Sequence, residues 1–441
     1  MCKLRSACWT VVLTVAAVTF LYGSTETTLH NFTGGADGAT PLSDLLYDPV
    51  SGFVFGTTNN GGGSAACTSG CGTVFALRPD GTGYTVIYHF LGGTDGANPQ
   101  AGLVMDGSGN LYGTTYNGGT RGLGTVFKLT PLGGGVFSES VLFSFSGGNG
   151  GSHPQSRLVL DSGGNLYGTT FGAGAHARGI VFELTPGGVE SVLFAFAGAN
   201  GSRPRAGVVF DGSGNLWGTT SAGGAAALGT VFRLSKSGGV WSQSFLYSFT
   251  GSDGANPFAA VTVDTAGDVY GTAKFGGAPS CAFAAAGCGV VFQFQPSGLS
   301  FTESTIYNFG GGKDGAAPVA DVTLALDAGG HQYLYGTASQ AGKTGGSCGA
   351  KGCGTVFELC GSGSACQSGV LPWTEYTLFD FLGASGGKTP QAGVLVFAPV
   401  AAADEFDSPP PGGKGQCTSG CMTSTSSGGS SGSGTTDGLS D

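Results

Sequence analysis

Residues 90–145 read FLGGTDGANPQAGLVMDGSGNLYGTTYNGGTRGLGTVFKLTPLGGGVFSESVLFSF, and this stretch decides the fold because close copies of it recur along the chain. It contains four short runs of residues that favour strands: AGLVMD, NLYGTTY, GTVFKLT and ESVLFSF. The segment Asp106–Asn110, with the sequence DGSGN, separates the first two runs and is typical of a hairpin turn. Each copy therefore predicts four consecutive strands.

Three phrases mark the copies. The GTVF phrase, or a close variant, begins at Gly72, Gly124, Gly179, Gly229, Gly289 and Gly354. The glycine of the YGTT phrase is Gly56, Gly113, Gly168, Gly218, Gly271 and Gly336. The phenylalanine that closes the fourth run recurs every 51 to 72 residues, at Phe32, Phe90, Phe145, Phe196, Phe249, Phe309 and Phe381. Four strands in about fifty residues are typical of a propeller blade, so we predict an all-β propeller of four-stranded blades.

The number of blades is predicted from the ends of the repeat array. Six units are complete, and a seventh begins at Thr389–Pro390 but lacks the YGTT and GTVF phrases. Its later sequence CTSGC, within 416–422, repeats that of 66–72 in the first unit. Residues 27–32 resemble an orphan fourth strand. We therefore prefer seven blades, with six as the alternative, and expect the ring to close by pairing of N- and C-terminal strands.

The chain is predicted to be exported. Residues 1–24 are typical of a signal peptide, with basic Lys3 and Arg5 before an apolar stretch that is too short to span a membrane. Residues 25–425 form the predicted propeller, and the Ser/Gly/Thr-rich residues 426–441 are predicted to be disordered. We expect a secreted or surface-associated protein with no transmembrane segment in the mature chain.

Composition limits the partners. The 441 residues include 88 glycines, only 10% are charged, and the net charge is −10, which argues against a surface for nucleic acid. Because 40% of the residues are apolar, the glycines indicate tight turns between strands rather than disorder. The five histidines form no metal-binding motif, and we expect no cofactor, no metal and no catalytic residues. The expected partner is an extracellular carbohydrate or protein, and the expected state is a monomer.

Ten cysteines remain after the predicted signal peptide, and they form five close pairs. The pairs are Cys67/Cys71, Cys281/Cys288, Cys348/Cys353, Cys360/Cys366 and Cys417/Cys421. Close pairing in an exported chain favours disulfides over metal sites, and none of the pairs has a histidine beside it.

The GTVF and NLYGTT phrases closely resemble those of the GloVer tandem-repeat family of bacterial exported proteins, over about Thr27 to Phe397. Members are described as "choice-of-anchor" proteins, because different members end in different surface-anchoring tails. This chain departs from that pattern, since its end has no apolar segment followed by basic residues. The resemblance implies no enzyme activity and no catalytic residues.

The candidate binding residues stand in a phrase DGAxP that precedes the first strand of a blade. They are Asp37, Asp95, Asp253 and Asp314. They either form an acidic rim around the axial channel, able to attract a cation, an amine or a sugar, or only fix the turn before the proline. The turn acids Asp106, Asp161, Asp211 and Asp264 provide too few oxygen ligands for calcium and indicate hairpin turns.

The predicted function follows from the fold and from the absence of a catalytic motif. We predict a secreted or surface-displayed binding or display module. The alternative is an extracellular hydrolase or lyase that acts on polysaccharide, because carboxylates from different blades could meet at the channel mouth. Binding is preferred over catalysis.

Overall fold

The computed structural model describes residues 27–277, 281, 286–298, 300–327, 330–361, 373–383 and 387–396. These residues form six antiparallel sheets, each built from consecutive strands, and the sheets are the blades of an all-β propeller. Three single-turn 3-10 helices lie in the loops, at Gly93–Asp95, Gly148–Gly150 and Gly346–Cys348. In this part of the chain no helix has the length and apolar character needed to cross a membrane.

The first three blades follow one another along the chain. Blade 1 contains β1 (Leu46–Asp48), β2 (Phe53–Thr58), β3 (Thr73–Leu77) and β4 (Thr85–His89). Blade 2 contains β5 (Val104–Met105), β6 (Leu111–Thr115), β7 (Thr125–Gly133) and β8 (Val136–Ser144). Blade 3 contains β9 (Val159–Leu160), β10 (Leu166–Thr170), β11 (Ile180–Leu184) and β12 (Glu190–Ala195).

The next three blades repeat this order. Blade 4 contains β13 (Val209–Phe210), β14 (Leu216–Thr220), β15 (Thr230–Ser237) and β16 (Val240–Ser248). Blade 5 contains β17 (Thr262–Val263), β18 (Val269–Ala273), β19 (Val290–Ser297) and β20 (Ser300–Asn308). Blade 6 contains β21 (Ala316–Pro318), β22 (Thr323–Leu326), β23 (Gln332–Gln340), β24 (Thr355–Gly361) and β25 (Trp373–Asp380), and both β21 and β22 pair with β23.

The preference for seven blades is wrong for the described residues, which form six. The physical reason is that the seventh copy keeps only the phrase for an inner strand and lacks the YGTT and GTVF phrases that build the second and third strands elsewhere. Its segment 390–396 runs beside blade 6 without forming a strand. The CTSGC sequence at 417–421 and the tail at 426–441 lie outside the described residues, as does the predicted signal peptide.

Ring closure also differs from the expectation of paired terminal strands. Residues 27–32 form no strand; instead Leu29 and Phe32 pack beside Phe75 and Tyr84 of blade 1. Leu395 from the other end of the propeller packs into the same cluster. The backbone N–H of Gly393 donates a hydrogen bond of 2.6 Å to Asp44 Oδ1. Side-chain packing and this hydrogen bond therefore join the first and last copies.

One aromatic contact recurs between neighbouring blades. The phenylalanine that closes a blade packs on the GTVF phenylalanine of the next blade, and Phe32 takes this position against blade 1. The ring centroids are 5.0 to 5.3 Å apart in the pairs Phe32/Phe75, Phe90/Phe127, Phe145/Phe182, Phe196/Phe232, Phe249/Phe292 and Phe309/Phe357. The repeated phrases thus build the joints between blades as well as the blades.

Glycine is required opposite these rings. Gly218 of the YGTT phrase pairs across the sheet with Phe232, and a Cβ added to Gly218 would lie 2.6 Å from Phe232 Cζ. Gly229 has a positive φ of 100°, and an added Cβ would lie 2.5 Å from the carbonyl oxygen of Thr220 and 2.6 Å from Cδ of Pro257 in the next blade. Close packing therefore explains the glycine of each phrase.

A second repeated contact holds the innermost segments. The threonine that directly follows the glycine of each YGTT-type phrase donates a hydrogen bond from its hydroxyl to a backbone carbonyl in the next copy, over 2.8 to 3.2 Å. The pairs are Thr57 to Ala101, Thr114 to Ser156, Thr169 to Ala206, Thr219 to Ala259, Thr272 to Ala320 and Thr337 to Ala392. Since Ala392 belongs to the seventh copy, segment 390–396 occupies the inner position that follows blade 6.

Three predicted disulfides are present, in the loops between the second and third strands. They join Cys67 to Cys71, Cys281 to Cys288 and Cys348 to Cys353. The predicted bonding partners Cys366, Cys417 and Cys421 lie outside the described residues, so the pairs Cys360/Cys366 and Cys417/Cys421 stay predictions.

Candidate functional site

The inner segments surround an axial channel with a cavity of about 380 Å³. Each copy contributes residues that follow the proline of its DGAxP-type phrase. The first residue after that proline is Leu42, Gln100, Gln155, Arg205, Phe258, Val319 or Gln391, and all seven line the cavity. The ring is therefore chemically mixed, although the framework around it repeats.

A second set of channel positions, three residues after each proline, includes two carboxyl groups and one guanidinium. The third residue after the proline is glycine or alanine in four copies, but Asp44, Arg157 and Asp321 in the first, third and sixth. A Cβ added to Gly393 would lie 3.3 Å from Oδ1 of both Asp44 and Asp321, so the seventh copy places its glycine between them. Burial raises the pKa of Asp321 to about 7, and the nearby Asp44 carboxyl contributes to this rise. The positive charge of Arg157 opposes it.

Cations and aromatic rings alternate across three blades on the side of the channel where the DGAxP phrases lie. Arg205 Cζ lies 5.0 Å from the ring centroid of Phe171 and 4.5 Å from that of Phe258. Arg203 Cζ lies 5.9 Å from Phe171, and Lys274 Nζ lies 4.6 Å from Phe258 and 5.2 Å from Phe275. We call these six residues the cation–aromatic ladder. Cations near ring faces at these distances interact favourably with the aromatic quadrupole.

The residue before each proline adopts a left-handed conformation in all seven copies. Its φ lies between 52° and 59° at Thr40, Asn98, His153, Arg203, Asn256, Ala317 and Thr389. Asparagine tolerates this conformation, whereas arginine adopts it at a cost in backbone strain. Because all seven copies share this conformation, it belongs to the repeated turn before the proline and does not single out Arg203.

The four predicted rim aspartates accept hydrogen bonds within their own loops. Asp37 accepts from the backbone N–H and hydroxyl of Thr33, and Asp95 from the backbone N–H of Leu91. Asp253 accepts from the backbone N–H of Thr250, and Asp314 accepts from those of Gly310 and Gly312. These four described residues do not line the channel cavity. Their role in binding stays a prediction.

Three of these aspartates also belong to acid clusters between blades, each with a tyrosine and with a glutamate from the next blade. The clusters are Asp95/Tyr88/Glu139, Asp253/Tyr247/Glu303 and Asp314/Tyr307/Glu375. Tyr88 donates a 2.5 Å hydrogen bond to Asp95. Burial, with the Asp95 charge, raises the pKa of Glu139 to about 7, and burial has the same effect on the pKa of Glu375. Each of these glutamates is therefore easier to protonate in the folded protein.

Three of the turn acids, Asp106, Asp161 and Asp211, have the opposite shift in pKa. Partial burial would raise the pKa of Asp211, but hydrogen bonds from Asn215, Trp217 and Ser213 outweigh it and hold the pKa below its ordinary value. Asp106 and Asp161 are hydrogen-bonded in the same way. Within the described residues, no group of three or more His, Cys, Asp or Glu side chains could hold a metal ion.

These opposite shifts predict that stability is highest near pH 5. A raised folded pKa stabilises the fold below the unfolded value, and that contribution is lost as the pH rises toward 7. A lowered folded pKa stabilises the fold above the unfolded value, so protonation of Asp106, Asp161 and Asp211 destabilises the protein below about pH 4. We expect the thermal unfolding midpoint to fall on both sides of pH 5, by several degrees toward pH 8.

Two variants test this pH dependence. Glu139→Gln keeps a neutral polar side chain in the cluster, and we expect it to reduce the loss between pH 5 and pH 8. The control is Asp80→Asn in the exposed β3–β4 turn, which should leave that part of the profile unchanged. An unfolding midpoint that does not change between pH 5 and pH 8 in the unmodified protein would contradict the assignment.

The fold and the channel together define a β-propeller with an axial candidate site. Residues 14–226 match the family model described as the Gloeobacter/Verrucomicrobia repeat. This match confirms the family resemblance predicted from the sequence. No curated protein matches the chain.

The chain is similar to several solved structures, each at low sequence identity. A putative 6-phosphogluconolactonase from Bacteroides fragilis is 15% identical with a TM-score of 0.48, over 84% of this chain and 89% of that one. The periplasmic gluconolactonase of Pseudomonas aeruginosa is 15% identical with a TM-score of 0.47, over 76% of this chain and 85% of that one. TolB from Acinetobacter baumannii is 11% identical with a TM-score of 0.40, over 73% of this chain and 62% of that one.

The sequence prediction missed the channel residues. The DGAxP aspartates recur in four copies, whereas the third residue after the proline is charged in only three of seven copies, as Asp44, Arg157 and Asp321. The sequence signal for these residues is a departure from the repeat: a charged residue stands where other copies have glycine or alanine. The same comparison at the positions flanking each proline would have found Arg203, Arg205 and Phe258.

Proposed function

We propose that this protein is a secreted or surface-displayed binding module, with the channel mouth and the DGAxP loops as its contact surface. One observation carries the proposal: the residues on either side of each proline differ from copy to copy, while the contacts that build the blades repeat. Residues that serve only the fold of a repeat protein are expected to repeat with it.

The chemistry of the mouth favours a carbohydrate ligand. Gln100, Gln155 and Gln391 line the cavity and provide amide donors and acceptors for hydroxyl groups. Phe258 lines the same cavity and adds apolar surface, a combination typical of small-molecule sites. The sequence-based expectation of an extracellular carbohydrate partner is therefore kept, and a protein ligand is the alternative.

A hydrolase or lyase acting on polysaccharide is the second candidate function. It is supported by the two carboxyl groups of Asp44 and Asp321 in the channel and by the pKa of Asp321, which is raised to about 7. Cleavage of a glycosidic bond uses two carboxyl groups that flank the bond, and a raised pKa suits one of them to act as the acid.

Binding is tested by isothermal titration calorimetry of the full exported chain against neutral, acidic and amino polysaccharides. We expect saturable binding to at least one class, weakened fivefold or more by Gln155→Ala at the mouth. The matched control Gln295→Ala, at an exposed position of β19, should change the affinity less than twofold. If no class binds, the proposal is wrong. Release of reducing ends that disappears in Asp321→Asn would favour the enzyme instead.

A further inference from the structure

The cation–aromatic ladder carries positive charge that the protein does not neutralise. In the described part of the chain, the two recorded ion pairs are His30–Asp37 and His331–Asp327, and neither involves the ladder. Arg205 Nε is buried without a hydrogen-bond partner, and the contact from Arg205 Nη1 to Gln155 Oε1 is long, at 3.5 Å. In a chain of net charge −10, an unpaired cationic cluster beside a channel is unexpected.

The ladder's cations also act on each other. Burial, and then the nearby charge of Arg205, lower the pKa of Lys274. Burial likewise lowers the pKa of Arg205. Placing like charges together in a partly buried site costs free energy, and an anion bound between them would recover it.

We infer that the ladder binds the carboxylate groups of an acidic polysaccharide, with a uronic acid as the recognised sugar. This inference rests on the proposed binding function and specifies its ligand. Arginine recognises a planar carboxylate through two parallel N–H donors. Phe171 and Phe258 each lie near two of these cations, so the ladder combines positive charge with apolar surface, as an acidic sugar combines a carboxylate with apolar C–H groups.

A polymer fits this arrangement better than a small anion. An inorganic phosphate or sulfate is bound most often where several donors converge on one point, as at clustered backbone N–H groups. Here Arg203 and Arg205 both lie within 5.9 Å of Phe171, and Arg205 and Lys274 both lie within 4.6 Å of Phe258, so aromatic rings are placed among the cations. This arrangement corresponds to a ligand that also combines charge with apolar surface.

The test uses the full chain and oligogalacturonate as the probe, with the same oligosaccharide after chemical reduction of its carboxyl groups. We expect the reduced form to bind at least tenfold more weakly, and binding of the acidic form to weaken as salt is raised. Arg205→Gln should weaken binding of the acidic form at least tenfold. Lys274→Met, which keeps the contacts with Phe258 and Phe275, should do the same without lowering the unfolding midpoint of the free protein.

The matched control is Arg233→Gln. Arg233 Cζ lies 5.5 Å from Trp217 and 5.2 Å from Phe301, so it makes the same kind of contact away from the channel. This variant should change the affinity less than twofold. As a check on folding, oligogalacturonate should raise the unfolding midpoint of the unmodified protein and of Arg233→Gln, but not that of Arg205→Gln.

Three outcomes would overturn the inference. Equal binding of the acidic and reduced oligosaccharides would show that the carboxylate is not recognised, while the proposed binding function would stand. Equally strong binding of dextran sulfate or inorganic phosphate would show a general anion site. Failure of every polysaccharide class to bind would overturn both the inference and the proposed function.

Discussion

Phe232→Ala is expected to lower the free energy of unfolding by about 3–5 kcal/mol, the range for loss of a fully buried phenylalanine. The Phe232 side chain has no solvent exposure. Its ring packs on Phe196 of the preceding blade at 5.1 Å and covers Gly218 of its own blade. Removing the ring leaves a cavity at a joint between blades, where the rigid glycine strand on one side limits collapse.

Denaturant unfolding followed by tryptophan fluorescence measures this loss. Val240→Ala is the control, because Val240 lies in β16 of the same blade and is 69% exposed. It should change the free energy of unfolding by less than about 0.5 kcal/mol. A loss below 1 kcal/mol for Phe232→Ala would mean that the joint between blades 3 and 4 is not built as described.

Gly229→Ala is expected to destabilise the protein by about 3 kcal/mol or more, although it adds only one methyl group. Two costs combine at this position. The φ of 100° is unfavourable for any residue with a Cβ, and the new methyl would clash with the Thr220 carbonyl and with Pro257 of the next blade. Backbone and proline atoms cannot rotate away as a flexible side chain could, so the inner edges of blades 4 and 5 must separate.

The two costs are separated by Gly238→Ala. Gly238 also has a positive φ, of 57°, but an added Cβ there would have no heavy atom within 4 Å. This control therefore measures backbone strain alone, and we expect a loss of about 1 kcal/mol. Equal losses for the two variants, measured by thermal and denaturant unfolding, would show that contact with Pro257 contributes nothing.

The fold could be predicted because each repeated phrase has one physical task in every blade. The ring of Phe232 needs Gly218 opposite it and Phe196 beside it, so all three recur with the repeat. The preference for seven blades is wrong because the inner phrase restarts at Thr389–Pro390 without the phrases that build the other strands of a blade. The segment 390–396 is held in the inner position by a hydrogen bond from Thr337 and by apolar contacts of Val394 and Val396, although no further strands of a seventh blade accompany it among the described residues.

The candidate site was harder to predict because sites in repeat proteins are made by exceptions. Asp44 and Asp321 stand in the first and sixth copies, and only the closed ring brings them together beside Gly393. Arg205 and Lys274 likewise come from different registers of two copies and meet across the ring of Phe258. A search for what the copies share finds turn residues such as Asp95, and passes over these four.

Each of the six described blades is built from one continuous stretch of chain, with no sheet shared between the two ends of the propeller. Duplication or deletion of one genetic repeat would therefore add or remove a whole blade and leave every other sheet intact. Such an event would change the angle between neighbouring blades all round the ring, and the ring would have to close again where residues 27–32 and Leu395 meet blade 1. Because that joint depends on side-chain packing, related chains can be expected to differ in repeat number while keeping the same blade.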